Sequence, residues 1–484
     1  ASQILQPSLP PPTESVPHVG DGGNHMTGAL AELKVEDIDA GALTVLRRLR
    51  EAGHQAVLAG GCVRDLLLGR DPEDWDIATD ARPEQVAVLF ERTVSVGERF
   101  GILRVLLAGN SYEVARFRQE GPYSDGRHPD HVLPATRRQD AERRDFTING
   151  MFYDPEGDGL IDTVDGRRDL AGGVIRAIGD PAARFAEDGL RTLRAVRFAT
   201  RLDFHIETTT WSALVAKAPI IEQISGERVR DELTLILTEG GAVRGLDLLY
   251  DSGLLRLLLP EVAAMKGVDQ PAEFHPEGDV WEHVKLMLGL VDALDEPAPT
   301  LAWGVLLHDI GKPATFQPPG PESSRIRFDG HDARGAEMVE EIARRLRFAN
   351  RDRDRVRDLT AHHMRFRNVK QMRPSKLKRF LREGFFPELL ELHRIDCQSS
   401  HGLLDLYEFC HQSLTEADEG EAEILRPPLL LTGRDLIAAG YHPGRQFGEI
   451  LRWLEDEQLE GRLKTRDAAL AAVRARWERP LPQA

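Results

Sequence analysis

Residues 60–76 read Gly60-Gly61-Cys62-Val63-Arg64-Asp65-Leu66-Leu67-Leu68-Gly69-Arg70-Asp71-Pro72-Glu73-Asp74-Trp75-Asp76. A short apolar run, Ala56 to Ala59, leads into the glycine pair, and the pattern predicts a helix over 63–68. Gly60 and Gly61 carry no Cβ, so the backbone there can approach a phosphate closely. The helix start that follows points N–H groups at such an anion. Arg64 adds a permanent charge. Asp74 and Asp76 share one face if their segment is extended, because strand side chains alternate. Two carboxylates on one strand face can hold two Mg²⁺ ions, the arrangement that in-line phosphoryl transfer needs. Taken singly, Gly-Gly before a helix is a turn and Asp-x-Asp is common on surfaces. The ordered combination is what carries information.

That combination, Gly-Gly-x-Val-Arg-Asp-x-Leu-Leu-Gly, four residues, then Asp-x-Asp, resembles the signature of the polymerase-β-like nucleotidyltransferases that extend RNA 3′ ends. These are the bacterial tRNA CCA-adding enzymes and their poly(A) polymerase relatives. The resemblance implies an α+β chain. A nucleotidyltransferase head of mixed sheet and helices over 31–175 is followed by an all-α neck (176–265), an HD domain (266–425) and a C-terminal helical region (426–484).

Composition agrees with a multidomain soluble protein. The chain has 484 residues, 41% apolar and 29% charged, enough for roughly three or four domains. No apolar run approaches the roughly 20 residues of a membrane helix, so no membrane partner is expected. Cys62, Cys397 and Cys410 are too few and too scattered for a disulfide framework or a zinc site, which points to a cytoplasmic protein. The net charge of −17 argues against a nonspecific nucleic-acid binder. A local basic stripe on an acidic surface remains compatible with tRNA. Residues 1–30 form a leader without periodicity, rich in Pro, Ser and Gly to residue 25, and it is expected to be disordered. The run Gly23-Asn24-His25-Met26 is of the kind left by an expression tag, with the natural start at Met26.

The pattern predicts a helix over 33–53, strands over 54–59, 75–78, 102–107 and 112–117, and a helix over 82–90. After Asp180 it becomes almost entirely helical, with apolar spacing of three and four over 185–202 and 228–238.

Four further segments resemble the same family, in order. In the strand Tyr112 to Arg118, Glu113 stands where the family has a third acidic residue; the alternative is an ordinary strand glutamate. The polar loop Glu120 to Arg138 is expected to be a mobile active-site loop. In Arg143 to Asn149, Arg144 resembles a nucleotide-phosphate arginine, and Asp145 and Asn149 resemble structural or ribose contacts. Asp165 to Leu170 reads as a hinge turn between head and neck.

Then comes Glu187-Asp188-Gly189-Leu190-Arg191, with Arg194 and Arg197 beyond it. On one helix Asp188, Arg191 and Arg194 would share a stripe. A helix with ordinary ion pairs would look alike. The resemblance makes the segment the family's nucleotide-selecting motif. Asp188 would accept from an exocyclic amino group and Arg191 donate to the base edge, a pattern that suits cytosine and adenine. Arg194 and Arg197 would face the triphosphate. Gly97 to Gly101 lacks the basic pair of the poly(A) polymerases and fits the CCA-adding side.

A second cluster lies over 283–396. His283, His308-Asp309 and Asp396 resemble the ligands of the HD metal-dependent phosphohydrolases, with His331 and His362 or His363 available to a second metal. His and Asp together suit Mn²⁺, Ni²⁺ or Fe²⁺ better than a thiolate zinc site. Between them runs a basic stretch, Arg344 to Arg382, interleaved with Phe348, Phe366 and Phe380. It reads either as a solvated face balanced by Asp352, Asp354 and Asp358, or as a phosphate-contacting surface for tRNA.

The resemblance thus implies template-independent addition of CCA, or its terminal A, to tRNA from CTP and ATP with Mg²⁺, and an added phosphohydrolase at RNA 3′ ends. The alternatives are a poly(A) polymerase and, from another class, an HD phosphodiesterase or phosphatase whose head only binds nucleotide.

Overall fold

The computed structural model describes residues 30–95, 101–121, 131–320, 324–419, 425 and 427–477. The leader to residue 29, residues 97–100 of the Gly97–Gly101 segment and 122–130 of the loop expected over 120–138 lie outside them.

The strands are β1 (Ala56–Ala59), β2 (Asp76–Thr79), β3 (Thr93–Ser95), β4 (Ile102–Leu107), β5 (Asn110–Arg116), β6 (Arg118–Glu120), β7 (Val132–Pro134), β8 (Phe152–Asp154) and β9 (Gly159–Ile161). A seven-stranded sheet runs in the order β3-β4-β5-β2-β1-β8-β9. β2 pairs with β5 in parallel and the other neighbours are antiparallel, so the sheet is mixed as expected. β1 is buried on both faces: Ala56 and Leu58 join the main core, Val57 and Ala59 a smaller one with Phe117 and Phe152. That is why its four residues are all apolar instead of alternating.

Helices of the sheet region are α1 (Ala40–Glu51), α2 (Gly61–Leu67), α3 (Pro83–Leu89), α4 (Arg137–Glu142) and α5 (Gly166–Ala171). The helix expected over 33–53 begins only at Ala40. The Asp39 side chain caps it, accepting from Gly41 and Ala42 N–H at 2.9 and 3.0 Å, which satisfies orphan donors of the first turn. Tyr112 Oη donates to the same carboxylate at 2.5 Å and anchors the cap to β5. The loop expected over 120–138 is partly regular, since β6 and β7 form a hairpin and α4 follows. The expected turn 165–170 is α5, a short helix entered through Asp165 in the left-handed region.

Beyond α5, the short pair β10 (Val174–Ile175) and β11 (His205–Ile206) is the last sheet among the described residues. The helices are α6 (Pro181–Glu187), α7 (Leu190–Arg201), α8 (Thr208–Lys217), α9 (Gly226–Thr238), α10 (Ala242–Asp251), α11 (Leu254–Leu258) and α12 (Pro260–Ala263). The single helix expected over 185–202 is broken at Asp188-Gly189. Asp188 is extended, with φ −143° and ψ 107°. A Cβ on Gly189 would lie 2.8 Å from Ile220 Cγ2, so the chain has no room for a side chain beside the break.

The third region comprises α13 (Val280–Val291), α14 (Pro299–Leu307), α15 (Lys312–Thr315), α16 (His331–Arg345), α17 (Asn350–His362), α18 (Pro374–Leu381), α19 (Phe386–Ser399) and α20 (Asp405–Glu419). α14 is buried from Leu301 through Leu307, the axis of this bundle. Trp303 Nε1 donates to Thr234 Oγ1 of α9 at 2.9 Å and ties the bundle to the preceding helices. Last come α21 (Gly433–Ala438), α22 (Arg445–Leu459) and α23 (Arg466–Arg476), with their own small core. α22 docks on α18 through Arg379, which pairs with Glu455 at 2.7 Å and Asp456 at 2.6 Å.

Candidate functional site

A cavity of about 660 Å³ opens between the sheet and α7. Gly60, Gly61, Arg64, Asp74, Asp76, Arg144, Asp145, Asn149, Asp188, Arg191, Arg194 and Arg197 all line it. Residues from four separate segments of the chain thus meet at one place. Asp76 opens β2, and Asp74 lies in the bend before it, so strand alternation covers only the first of them. Glu113 is the register partner of Asp76 in the parallel β2–β5 pair. It does not line the cavity wall, but it stands beside Asp76. Burial, with Glu113 and then Asp74 nearby, pushes the Asp76 carboxyl up to about 6 against the pull of Arg144. Such mutual repulsion is what a bound cation relieves.

Gly60 has φ +72°, and a Cβ there would fall 2.6 Å from Arg144 Nη1. The glycine is therefore required twice, for its backbone angle and for the arginine's approach. Arg144 itself lies over the Phe152 ring, with Nη1 donating to Asn149 O at 3.3 Å. Arg64 is 3% exposed and turned inward. Its guanidinium grips Asp65 at 2.8 and 2.9 Å and donates to Asn149 Oδ1 at 2.8 Å. It reaches the cavity as part of a buried network, not as a free charge.

Asp145 receives both Nε and Nη2 of Arg194, at 2.8 and 2.6 Å. Burial alone would raise its carboxyl, but Arg194 and Asn149 outweigh that and hold it down at about 2. The arginines of α7 form a ladder. Arg191 donates to Glu187 at 2.6 Å, Arg197 Nε lies 2.9 Å from Glu232 Oε2, and Arg201 pairs with Glu239 and Glu73 at 3.3 and 3.1 Å. Arg64, Arg194 and Arg197 all stand over the Phe198 ring, at 5.2, 5.2 and 4.7 Å. Glu187 does not line this cavity; it lies beside Arg184 and Arg143 in a smaller one of about 190 Å³. The helix break detaches Asp188 from the helical stripe expected for it. Its partner is Arg228 of α9, which the sequence reading left unassigned.

The second cluster also assembles. His283, His308 and Asp309 present ligand atoms within 4.8 Å of one another, and so do Asp309, His331 and His363. Asp396 Oδ1 lies 3.2 Å from His283 Nε2. Asp309 serves both sets: Oδ2 is 3.1 Å from His308 Nε2, and Oδ1 is 3.4 Å from His331 Nε2. His362 is outside the cluster. Its Nδ1 donates to Asp358 O at 2.8 Å and its ring stacks on Phe385. The neighbouring His363 faces inward because the helix ends between the two and the chain tightens into a 3-10 turn.

The Nδ1 atoms of His308, His331 and His363 donate to the Val305, Phe328 and Thr360 carbonyls at 2.9, 2.8 and 2.7 Å. A carbonyl can only accept, so each Nδ1 carries the proton and each Nε2 is the inward atom. His283 is fixed differently, by Glu277 Oε1 at 2.7 Å from its Nδ1. The buried Nε2 atoms of His283 and His308 face the carboxylates of Asp396 and Asp309 without hydrogen-bond geometry. These are the orientation and the open valence that a metal ion requires. Glu277 and His275 had no signal beyond a proline-bounded loop.

The basic stretch 344–382 is largely spent on the fold. Phe366 and Phe380 are buried and Phe348 packs edge-on against Trp303. Arg345, Arg347, Arg355 and Arg379 pair with Glu261, Glu227, Glu388 and Glu455.

Residues 56–176 match the poly A polymerase head domain, 203–266 the probable RNA and SrmB-binding site of polymerase A, and 280–392 the HD domain. A CCA-adding enzyme of Ligilactobacillus salivarius is 39% identical over 246 residues, 50% of this chain and 61% of that one. The poly(A) polymerase I of Haemophilus influenzae is 36% identical over 254 residues, 50% of this chain and 56% of that one. These alignments thus span under two thirds of the relatives' own length. The crystal structure of the Bacillus stearothermophilus CCA-adding enzyme in complex with CTP superposes over 90% of this chain and 97% of that one, with a TM-score of 0.67 at 26% identity. The three domains follow one another in this chain in the order head, RNA-binding region, HD domain, and over 90% of its length the chain shares the fold of a CCA-adding enzyme.

Proposed function

We propose that this chain adds CCA, or its terminal A, to tRNA 3′ ends from CTP and ATP without a nucleic-acid template. The observation that carries the reading is the meeting of Asp74, Asp76 and the α7 arginines with the Asp188–Arg191 motif in one cavity. The similarity to a CCA-adding enzyme crystallised with CTP supports it. The RNA 3′-hydroxyl attacks the α-phosphate, the bond to the β-phosphate breaks and pyrophosphate leaves.

Asp74 and Asp76, with Glu113 beside them, would hold divalent cations, Mg²⁺ by their all-oxygen chemistry; bound there, these neutralise the reacting oxygens. Arg144, Arg194 and Arg197 bind and orient the triphosphate. Asp188 accepts from the amino group of cytosine or adenine, and Arg191 donates to the same edge. Asp145 holds Arg194, and Asn149 holds Arg64, so positioning and fixed charge do most of the work. No described helix is long and apolar enough to cross a membrane, and the three cysteines are free and buried. Both agree with a reaction in the cytoplasm.

The histidine cluster favours a second activity, phosphoester hydrolysis at RNA 3′ ends. His283, His308, Asp309 and Asp396 would hold one metal and His331 and His363 a second, Mn²⁺, Ni²⁺ or Fe²⁺ by their mixed nitrogen and oxygen donors. A cavity of about 510 Å³ lies over the cluster, with Lys312, Arg325 and Arg367 in its wall to receive a phosphate.

The test is incubation of the full chain with tRNA transcripts ending before CCA, after C and after CC, with labelled CTP and ATP, followed by sequencing of the products. Addition that stops at CCA supports the reading; a long A tail makes the chain a poly(A) polymerase; no incorporation leaves the hydrolase. Asp309→Ala should lose hydrolysis of cyclic-phosphate ends and keep addition to a free 3′-hydroxyl.

A further inference from the structure

Asp188 is not a free carboxylate. Its Oδ1 accepts from Leu190 N–H at 3.0 Å and from Arg228 Nη1 at 3.2 Å. Its Oδ2 accepts from Arg228 Nη2 at 2.6 Å. The two Arg228 bonds form a fork that fixes the plane of the carboxylate as well as its place. The side chains are 14% and 24% exposed, so water competes weakly for them. Both residues line the cavity that holds Asp76 and Arg144.

A carboxylate has about four lone-pair sites, and these three bonds take three of them. The one left is on Oδ2. A lone acceptor held in one plane can take a single N–H from a base edge. The amino groups of cytosine and adenine offer that N–H, whereas uracil and guanine place a carbonyl oxygen there. That oxygen would face the Asp188 oxygen, two acceptors with no proton between them. A loose Asp188 could rotate away from the conflict or bridge it through water. A forked one cannot.

From this we infer that Arg228 is a specificity-determining positioning residue: it acts through Asp188 to make the cavity reject uracil and guanine. The inference rests on the proposed reading of Asp188 as a base contact and extends it to a residue of another helix. Arg228 stands on α9, beyond α7 and α8 and within the region that matches the RNA-binding family. Base choice therefore depends on how α9 docks against the break between α6 and α7. The same break supplies the Leu190 N–H. Without it Asp188 would sit inside a helix and could not take both partners.

The experiment uses the full chain and a tRNA transcript ending before CCA, with each of the four nucleoside triphosphates alone. kcat and KM are measured for wild type, Asp188→Ala, Arg228→Ala, Arg228→Lys and the double alanine variant. Arg228→Ala should lower the preference for CTP over UTP by about tenfold, the scale of one lost base contact. The loss should come from faster UTP use, with melting temperature followed alongside. The double variant should be no less selective than Asp188→Ala, because both changes remove one interaction. Arg228→Lys keeps the charge without the fork and should recover the preference only in part; it also carries the test if the alanine variant does not fold. If Asp188→Ala loses selectivity while both Arg228 variants keep it, Arg228 is an ordinary ion pair and the inference is overturned. If Asp188→Ala keeps its selectivity, the base-contact reading fails first and takes the inference with it.

Discussion

The Nε2 atoms of His331 and His363 lie 3.1 Å apart, while the Nδ1 of each ring is committed to a backbone carbonyl. Two lone pairs so placed repel unless a cation sits between them, either a proton or a metal ion. Burial, followed by the neighbouring His308, pushes His363 down to about 4, so this ring does not supply the proton near neutrality. Asp309 Oδ1, 3.4 and 3.7 Å from the two rings, completes a ligand set.

His363→Ala should therefore weaken metal binding at this cluster by at least about tenfold, and His362→Ala should leave it near wild type. Metal titration of both variants, with melting temperature as a fold check, separates them. Equal losses in both would mean that the ring facing Asp309 does not decide affinity.

Asp76→Ala and Asp74→Ala should each abolish nucleotide incorporation, a loss on the order of several kcal/mol of transition-state stabilisation. Asp74 is exposed and Asp76 half-buried, so neither change empties the core. Circular dichroism should be unchanged. Incorporation near the wild-type rate in both variants would remove the carboxylate pair from the mechanism.

Gly60→Ala should cost about 1–3 kcal/mol of stability through its positive φ. It should also raise the KM for nucleotide, because the new Cβ must push Arg144 off its seat on Asn149 O. Gly61 is a control for the fold: a Cβ there meets nothing nearer than Arg64 Nη2 at 3.8 Å. Urea unfolding of both variants should show the larger loss at Gly60. A greater loss at Gly61 would contradict the backbone argument.

Asp145 links stability to acid. Its carboxyl is held at about 2 in the folded chain, below its usual 3.8. A depressed carboxylate stabilises the fold above the unfolded value and loses that contribution as pH falls through the folded one. The contribution is about 2 kcal/mol. The stability gap between wild type and Asp145→Asn should be constant above about pH 5 and narrow by that amount toward pH 2. Urea unfolding across this range checks it, and a gap independent of pH would place the effect elsewhere than in ionisation.

The amino-acid sequence by itself determined the α+β class, the order of the regions and most of the residues that meet in the first cavity. Local rules suffice for these. The apolar run 56–59, the glycine pair and the Asp-x-Asp spacing are all short-range patterns, and strand or helix formation follows from them over a few residues. The histidines and aspartates of the second cluster were legible for the same reason, as rare residue types in a fixed order.

What only the tertiary structure decided are matters of which side chain meets which across the chain. His362 and His363 are adjacent, and spacing could not choose between them; the end of α17 did. The helix over 185–202 looked continuous, since its apolar spacing runs through Gly189. It breaks at Asp188, which is extended and pairs with Arg228 of α9. Arg228, Glu232, Glu277 and the inward turn of Arg64 were equally hidden. Each is a charged residue in a segment with many, and its role depends on one long-range partner. An ion pair between distant residues leaves no period in the sequence, because its geometry exists only once the helices have packed.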